Sequence, residues 1–331
     1  MNEIVFFINK GLVSGLIIGS IYALGAIGVT LVFGILRFAH FAHGDMMTLG
    51  AFITLILTAA LAALGITLPL PLAFIAMFPA MVITAFIAIG LDRTFYKPLR
   101  QAGARPVVLV MASVGVTLML QGLIRLFAGV RARDMFVEAP KEIFRLPFPG
   151  ASRPVIITEP QVLLIGFVIV AVIALHWFLT RSRLGKAMRA VSDNPELARI
   201  TGINTDHVVW ATWVIGGALA CAAGTMLSMD VTLKPDLSFN ILLPIFAATI
   251  VGGIGQPYGA IAGGFLVGFC ETLAVFNWSI LLRPIKDQLW FEVPTSMALV
   301  PTEYKLMVPF LILIIVLIFR PTGIFRGRVL A

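Results

Sequence analysis

Apolar residues fall along this chain in long unbroken runs, at 11–36, 46–64, 68–91, 107–128, 161–180, 208–229, 241–253, 258–276 and 306–319. A helix needs roughly 20 residues to cross the hydrocarbon core, and most of these runs reach that length. Continuous runs lack the dyad repeat of an outer-membrane strand, and backbone in lipid must satisfy its own hydrogen bonds, so helices remain. The pattern predicts an all-α polytopic integral membrane protein of about eight or nine transmembrane helices, forming a single domain over 1–331. Two runs are short. The seventh ends in Gly252-Gly253-Ile254-Gly255-Gln256-Pro257, the mark of a broken or partly inserted helix. The ninth is limited upstream by Glu303 and Lys305.

Glycine punctuates the apolar runs at helical spacing. Gly11, Gly15 and Gly19 recur every four residues, as do Gly255, Gly259 and Gly263, with Gly264 and Gly268 in a second row. Residues four apart share a helix face, and glycine there lets backbones approach closely. The rows predict dense helix packing, within the chain or at a subunit interface.

One polar insert stands out. Residues 181–206, RSRLGKAMRAVSDNPELARITGINTD, separate two runs that are each long enough to span. Leu184, Met188 and Val191 make an apolar stripe at i, i+4 and i+7, while Lys186 and Arg189 share another face. Asp193 or Asn194 can cap a second short helix that starts at Pro195, with Glu196 in its first turn, Arg199 near its end and Gly202 as its stop. Two short helices joined at this turn suit docking into a groove on a cytoplasmic partner, or lying along the membrane surface with no partner.

Composition agrees with a membrane chain: 331 residues, 60% hydrophobic and 12% charged. Lys and Arg orient it. Arg93, Lys97, Arg100 and Arg105 gather between the third and fourth runs, Arg181, Arg183, Lys186, Arg189 and Arg199 in the insert, and Arg320, Arg326 and Arg328 after the last run. By the positive-inside rule these segments and the C-terminus are cytoplasmic, which puts 37–45 inside and the N-terminus outside. The 130–159 loop must then lie outside despite five basic residues, which Asp134, Glu138, Glu142 and Glu159 nearly balance. The formal net charge of +8 is thus mostly membrane anchoring and requires no nucleic acid. The first apolar run exceeds a signal-peptide core and no small-residue cleavage site follows, so a cleavable signal is not expected.

Candidate chemistry is sparse. The one Gly-Lys pair, Gly185-Lys186, lacks the glycine-rich cradle of a phosphate loop, so this chain is not expected to hydrolyse nucleotide. No G-x-S-x-G elbow or other nucleophile–base pattern points to an enzyme. His40 and His43 near Asp45 are a weak metal pattern, better explained as a turn in which Asp45 caps the following helix. No metal or other cofactor is expected. Cys221 and Cys270, inside predicted spans, are expected to be small packing residues. Arg125 with Gln121, His176 and Glu271 are ionisable or polar groups within spans, near enough to span ends to be interfacial or satisfied inside the bundle. No mid-span carboxylate pair or buried acid–base pair is visible, which disfavours a proton-coupled carrier.

Gly185-Lys186-Ala187-Met188-Arg189-Ala190-Val191, continuing through Glu196-Leu197-Ala198-Arg199-Ile200-Thr201-Gly202-Ile203-Asn204, resembles the coupling loop of permeases in the branched-chain amino acid class of ATP-binding-cassette importers. Gly15-Leu16-Ile17-Ile18-Gly19-Ser20-Ile21-Tyr22-Ala23-Leu24, Phe33-Gly34-Ile35-Leu36-Arg37, Phe41-Ala42-His43-Gly44-Asp45, the Gly252–Gly255 and Pro257–Ala260 segments and the terminal Arg320-Pro321-Thr322-Gly323-Ile324-Phe325 are similar in kind and order. The likeness covers nearly the whole chain and is nearest the LivH-like type, although His40 stands where Asn is more usual and the 131–159 and 280–304 loops are long. It implies a type II-like permease bundle in a bacterial plasma (inner) membrane, paired with a sister permease, two cytoplasmic ATP-binding subunits and an extracytoplasmic substrate-binding protein. ATP would be bound by the partners. Gly185, Lys186, Met188, Arg189, Asp193, Glu196, Arg199 and Gly202 would carry the coupling, and the cargo would be a branched-chain or related neutral amino acid. A urea or short-amide permease, or a transporter or channel working without an ATPase, are the competing expectations.

Overall fold

The computed structural model describes residues 1–66, 68–136, 140–283 and 294–325. Glu138, Arg326 and Arg328, counted above for charge, lie outside the described residues. Among those described, seven helices are long and apolar enough to cross a membrane: α1 (Asn2–Leu36), α2 (His43–Ala63), α3 (Leu72–Gln101), α4 (Pro106–Ala128), α5 (Glu159–Arg181), α8 (Thr205–Asp230) and α10 (Pro257–Val275). Two shorter apolar helices, α9 (Phe239–Gly252) and α11 (Met307–Phe319), correspond to the two short runs. Between α5 and α8 lie α6 (Arg183–Asp193) and α7 (Pro195–Ile200).

The apolar runs set span ends too narrowly in two places. The first helix starts at Asn2 rather than at residue 11 and passes through a π-helical stretch, Ile8–Val13. The third continues to Gln101 through a second π-helical stretch, Asp92–Tyr96, where a cytoplasmic loop was expected from residue 91. Charged residues are compatible with helix where a helix leaves the bilayer, and Arg100 pairs with Asp92 through both carboxylate oxygens, at 2.6 and 3.1 Å. The 130–159 segment, expected to be loop, contains a β-hairpin, β1 (Ile143–Leu146) with β2 (Val155–Thr158), antiparallel in the register Ile143 opposite Thr158. Asn9 fastens it to α1, its Oδ1 accepting from the Ile156 N–H at 3.0 Å.

Glycine decides which helices touch. The core pair is α1 with α10: Gly268 sits against the backbone of Gly19, Gly264 against Ala23, and the rings of Phe265 and Phe269 cover Gly19 and Gly15. Gly11 meets Phe7 and Leu273. On its other side α10 meets α9, with Gly259 against Gly252 and Gly263 against Ala248. These rows therefore serve packing inside the chain. Gly255 departs from the expected row, because α10 starts only at Pro257 and Gly255 lies in the preceding turn.

Between α1 and α2 the chain folds back into the bundle. Arg37 ends α1 in the left-handed region (φ 57°), and by His43 the chain has returned to Gly28, whose missing Cβ leaves room for the His43 ring. Gly28 is eight residues before Leu36, or about 12 Å along the helix axis. Asp45 is consequently not the cap expected of it. The cap position is Ala42, with no side-chain bond, and Asp45 sits buried in the first turn facing Thr117 and Gln121 of α4. His40 Nε2 is 3.1 Å from the Tyr96 hydroxyl and its ring packs edge-on against Trp213.

Candidate functional site

Side-chain caps shape the 181–206 unit. Ser182 ends α5 and caps α6, its Oγ accepting from the Gly185 N–H at 2.8 Å. Asn194 separates α6 from α7, and its Oδ1 accepts from the N–H groups of Glu196 and Leu197 at 3.0 and 3.1 Å. Asn204 repeats the device for α8, accepting from Asp206 and His207 at 3.0 and 3.3 Å. Each cap satisfies helix N–H groups that have no partner within the helix. Gly202 closes α7 at φ 83°, a conformation open to glycine at little cost.

The unit is held rigidly on the bundle. A Cβ on Gly185 would run into the carbonyl oxygen of Phe178 and the backbone of Leu179, so α6 and the last turn of α5 meet backbone to backbone. Met188 and Val191 are buried, and α6 packs on α5, α8 and the end of α1. The apolar stripe expected to dock on a partner is therefore spent on the chain itself. Gly185 and Met188 position the unit, whereas Lys186, Glu196, Arg199 and Gly202 are exposed, as are Arg189 and Asp193, which also border a cavity against the bundle. Two residues absent from the expected set lie among them: Leu197 is 58% exposed and Ile200 82% exposed. Their spacing of three on a polar insert was the available signal.

Behind the unit is a cavity of about 460 Å³. Its walls are the end of α1, the inward side of α6 and the break between α9 and α10, including Arg37, Arg189, Ser192, Asp193, Gln256 and Tyr258. The C-terminal segment seals the break from its other side: Ile324 and Phe325 donate backbone hydrogen bonds to the carbonyls of Val251 and Gly252 at 2.9 and 3.1 Å.

The remaining candidates lie elsewhere. Arg125 Nη1 donates to Gln121 Oε1 at 3.4 Å, and His176 Nδ1 is 2.8 Å from the Tyr258 hydroxyl. Glu271 is buried, accepts from the Tyr22 hydroxyl at 2.8 Å and pairs with Lys305 at 2.9 Å. The buried Glu271 is thus satisfied inside the bundle, as expected, by a half-buried lysine 34 residues further on, a partner beyond the reach of helical spacing. Cys221 is buried as expected, but Cys270 is exposed rather than packed.

The chain matches, over residues 11–317, the family described as "Branched-chain amino acid transport system / permease component". It belongs to that family. Among its relatives, the high-affinity branched-chain amino acid transport system permease protein BraD of Pseudomonas aeruginosa is 32% identical over 327 residues, covering 98% of this chain and 97% of BraD. The permease protein LivH of Escherichia coli is 31% identical over 325 residues, with the same coverage. A probable LivH of Methanocaldococcus jannaschii is 30% identical over 273 residues, covering 81% of this chain and 82% of that one. As a member of this permease family the chain is a multi-pass membrane transport subunit.

Proposed function

We propose that this permease is the membrane subunit of an ATP-driven importer for branched-chain or related neutral amino acids, in a bacterial inner membrane. A sister permease subunit, two ATP-binding subunits and an extracytoplasmic binding protein complete the machine. ATP is bound by the partner subunits, and α6–α7 is the part they grip.

The observation that carries this is the outward face of the unit. A rigidly capped helix pair that leaves Leu197 and Ile200 exposed beside Lys186, Arg189, Glu196 and Arg199 has the makeup of a protein interface, apolar at the centre and charged at the rim. Its inward face, joined to α5 through Gly185, transmits displacement rather than absorbing it. Hydrolysis can shift the permease between outward and inward access only if the ATPase contacts the two states differently, and a stiff unit set against the ends of α1, α5 and α8 gives it such a handle.

Co-expression with candidate ATP-binding subunits from the same organism provides the test. The permease should retain an ATPase through purification, and the double substitution Leu197→Ser/Ile200→Ser should release it without loss of the folded permease. Uptake of leucine into vesicles should require ATP and the binding protein. Equal uptake with and without the ATPases would overturn the proposal, and uptake of urea or short amides in place of leucine would change its cargo.

A further inference from the structure

We propose that the 460 Å³ cavity behind α6 is a second site for the transported amino acid, reached from the α6 side, where bound cargo holds α6 against the bundle and slows further import. This rests on the amino-acid cargo proposed above. The cavity lies within the roughly 300–1,000 Å³ of small-molecule sites.

Its chemistry matches a zwitterion with an apolar side chain. Arg37 and Arg189 supply guanidinium groups for a carboxylate, Ser192 and Gln256 supply oxygens that can accept from an ammonium group, and Met188 and Ile254 supply apolar wall. Arg37 is the sole non-glycine residue with positive φ among the described residues. A glycine would end α1 there without strain, whereas a side chain in the left-handed region is strained. An arginine kept in that conformation, on the wall of a cavity, is accounted for by a ligand that needs its charge.

Position supplies the consequence. One wall, α6, belongs to the unit that the ATPase must move; the facing walls, the end of α1 and the 254–258 turn, belong to the packed bundle. A ligand touching both walls binds best when they are close and so favours that arrangement over the displaced one. Rising cargo concentration on the α6 side would then restrain its own import.

The experiment uses the complete complex in liposomes, with regenerated ATP in the lumen on the ATPase side and binding protein outside. Initial uptake of labelled leucine is measured with the lumen containing unlabelled leucine, leucinamide or neither. Lumenal leucine should slow wild-type uptake roughly fivefold or more, the low end of ordinary coupling. Leucinamide, which lacks the carboxylate, should not. Arg37→Gln removes the charge and Ile254→Phe fills the cavity; from an empty lumen both should import at the wild-type rate, and both should lose the slowing. If one variant fails to assemble, the other carries the test. Wild-type uptake unaffected by lumenal leucine, or slowing that persists in the assembled variants, would overturn the site and leave the importer standing. Absence of any leucine uptake by the wild type would sink the cargo assignment and the site together.

Discussion

Gly185 and Gly255 are both singled out in the sequence, the first for coupling and the second for helix packing. Their surroundings separate them. Gly185 has the backbone of α5 where a Cβ would go, whereas Gly255 has only the Gly34 Cα at 3.7 Å and a φ of 80°. Gly185→Ala should therefore displace α6 and lower ATP-driven uptake severely while the permease still inserts, and Gly255→Ala should cost only the left-handed strain of about 1–2 kcal/mol and leave uptake near normal. Parallel transport and thermal-unfolding measurements on the two variants check this; a normal uptake rate for Gly185→Ala would refute it. At this scale the sequence shows residue type and period but not what stands opposite. Met188 was legible as apolar, but not as turned inward, because direction depends on where α5 and α8 run.

Among the elements, α6 and α7 were the most legible, because their ends are written in local chemistry. Asn194 before Pro195, and Gly202 after Ile200, act over three or four residues and need no distant partner. Asn194→Ala removes both hydrogen bonds at the start of α7 and should cost about 1 kcal/mol. Because α7 is a turn and a half on its own, that loss should appear as faster amide exchange at Glu196 and Leu197, with α8 unchanged. Unaltered exchange there would mean that contacts other than the cap hold α7. The fold-back between α1 and α2 was not legible. Its cause is the fit of His43 against Gly28, fifteen residues apart, and nothing local to Asp45 contradicts a capping role.

For the molecule as a whole, hydropathy foretold the bundle and the nine apolar helices among the described residues because lipid leaves the backbone few alternatives. Pairings between distant segments were hidden, and Lys305 with Glu271 is the clearest of them. Removing one partner of a buried pair costs roughly 3–5 kcal/mol, a figure to be lowered here because Lys305 keeps about a third of its side chain exposed. Lys305→Met should destabilise the permease, and adding Glu271→Gln, which can still accept from Tyr22, should restore much of the loss. Thermal unfolding of the two single variants and the double variant makes the check, and simple additivity would refute a coupled pair.

The hydrogen bonds from Ile324 and Phe325 to the end of α9 bear on how this protein can be handled. A chain cut after Phe319, or an affinity tag fused directly at that point, would strip Val251 and Gly252 of their donors at about 1–3 kcal/mol for each acceptor left unsatisfied. Gly323, pressed against Gly253, would be lost with them. Purification handles belong beyond Phe325 on a spacer. Low yield from a shorter clone would reflect the missing clasp rather than an intrinsic frailty of the membrane bundle.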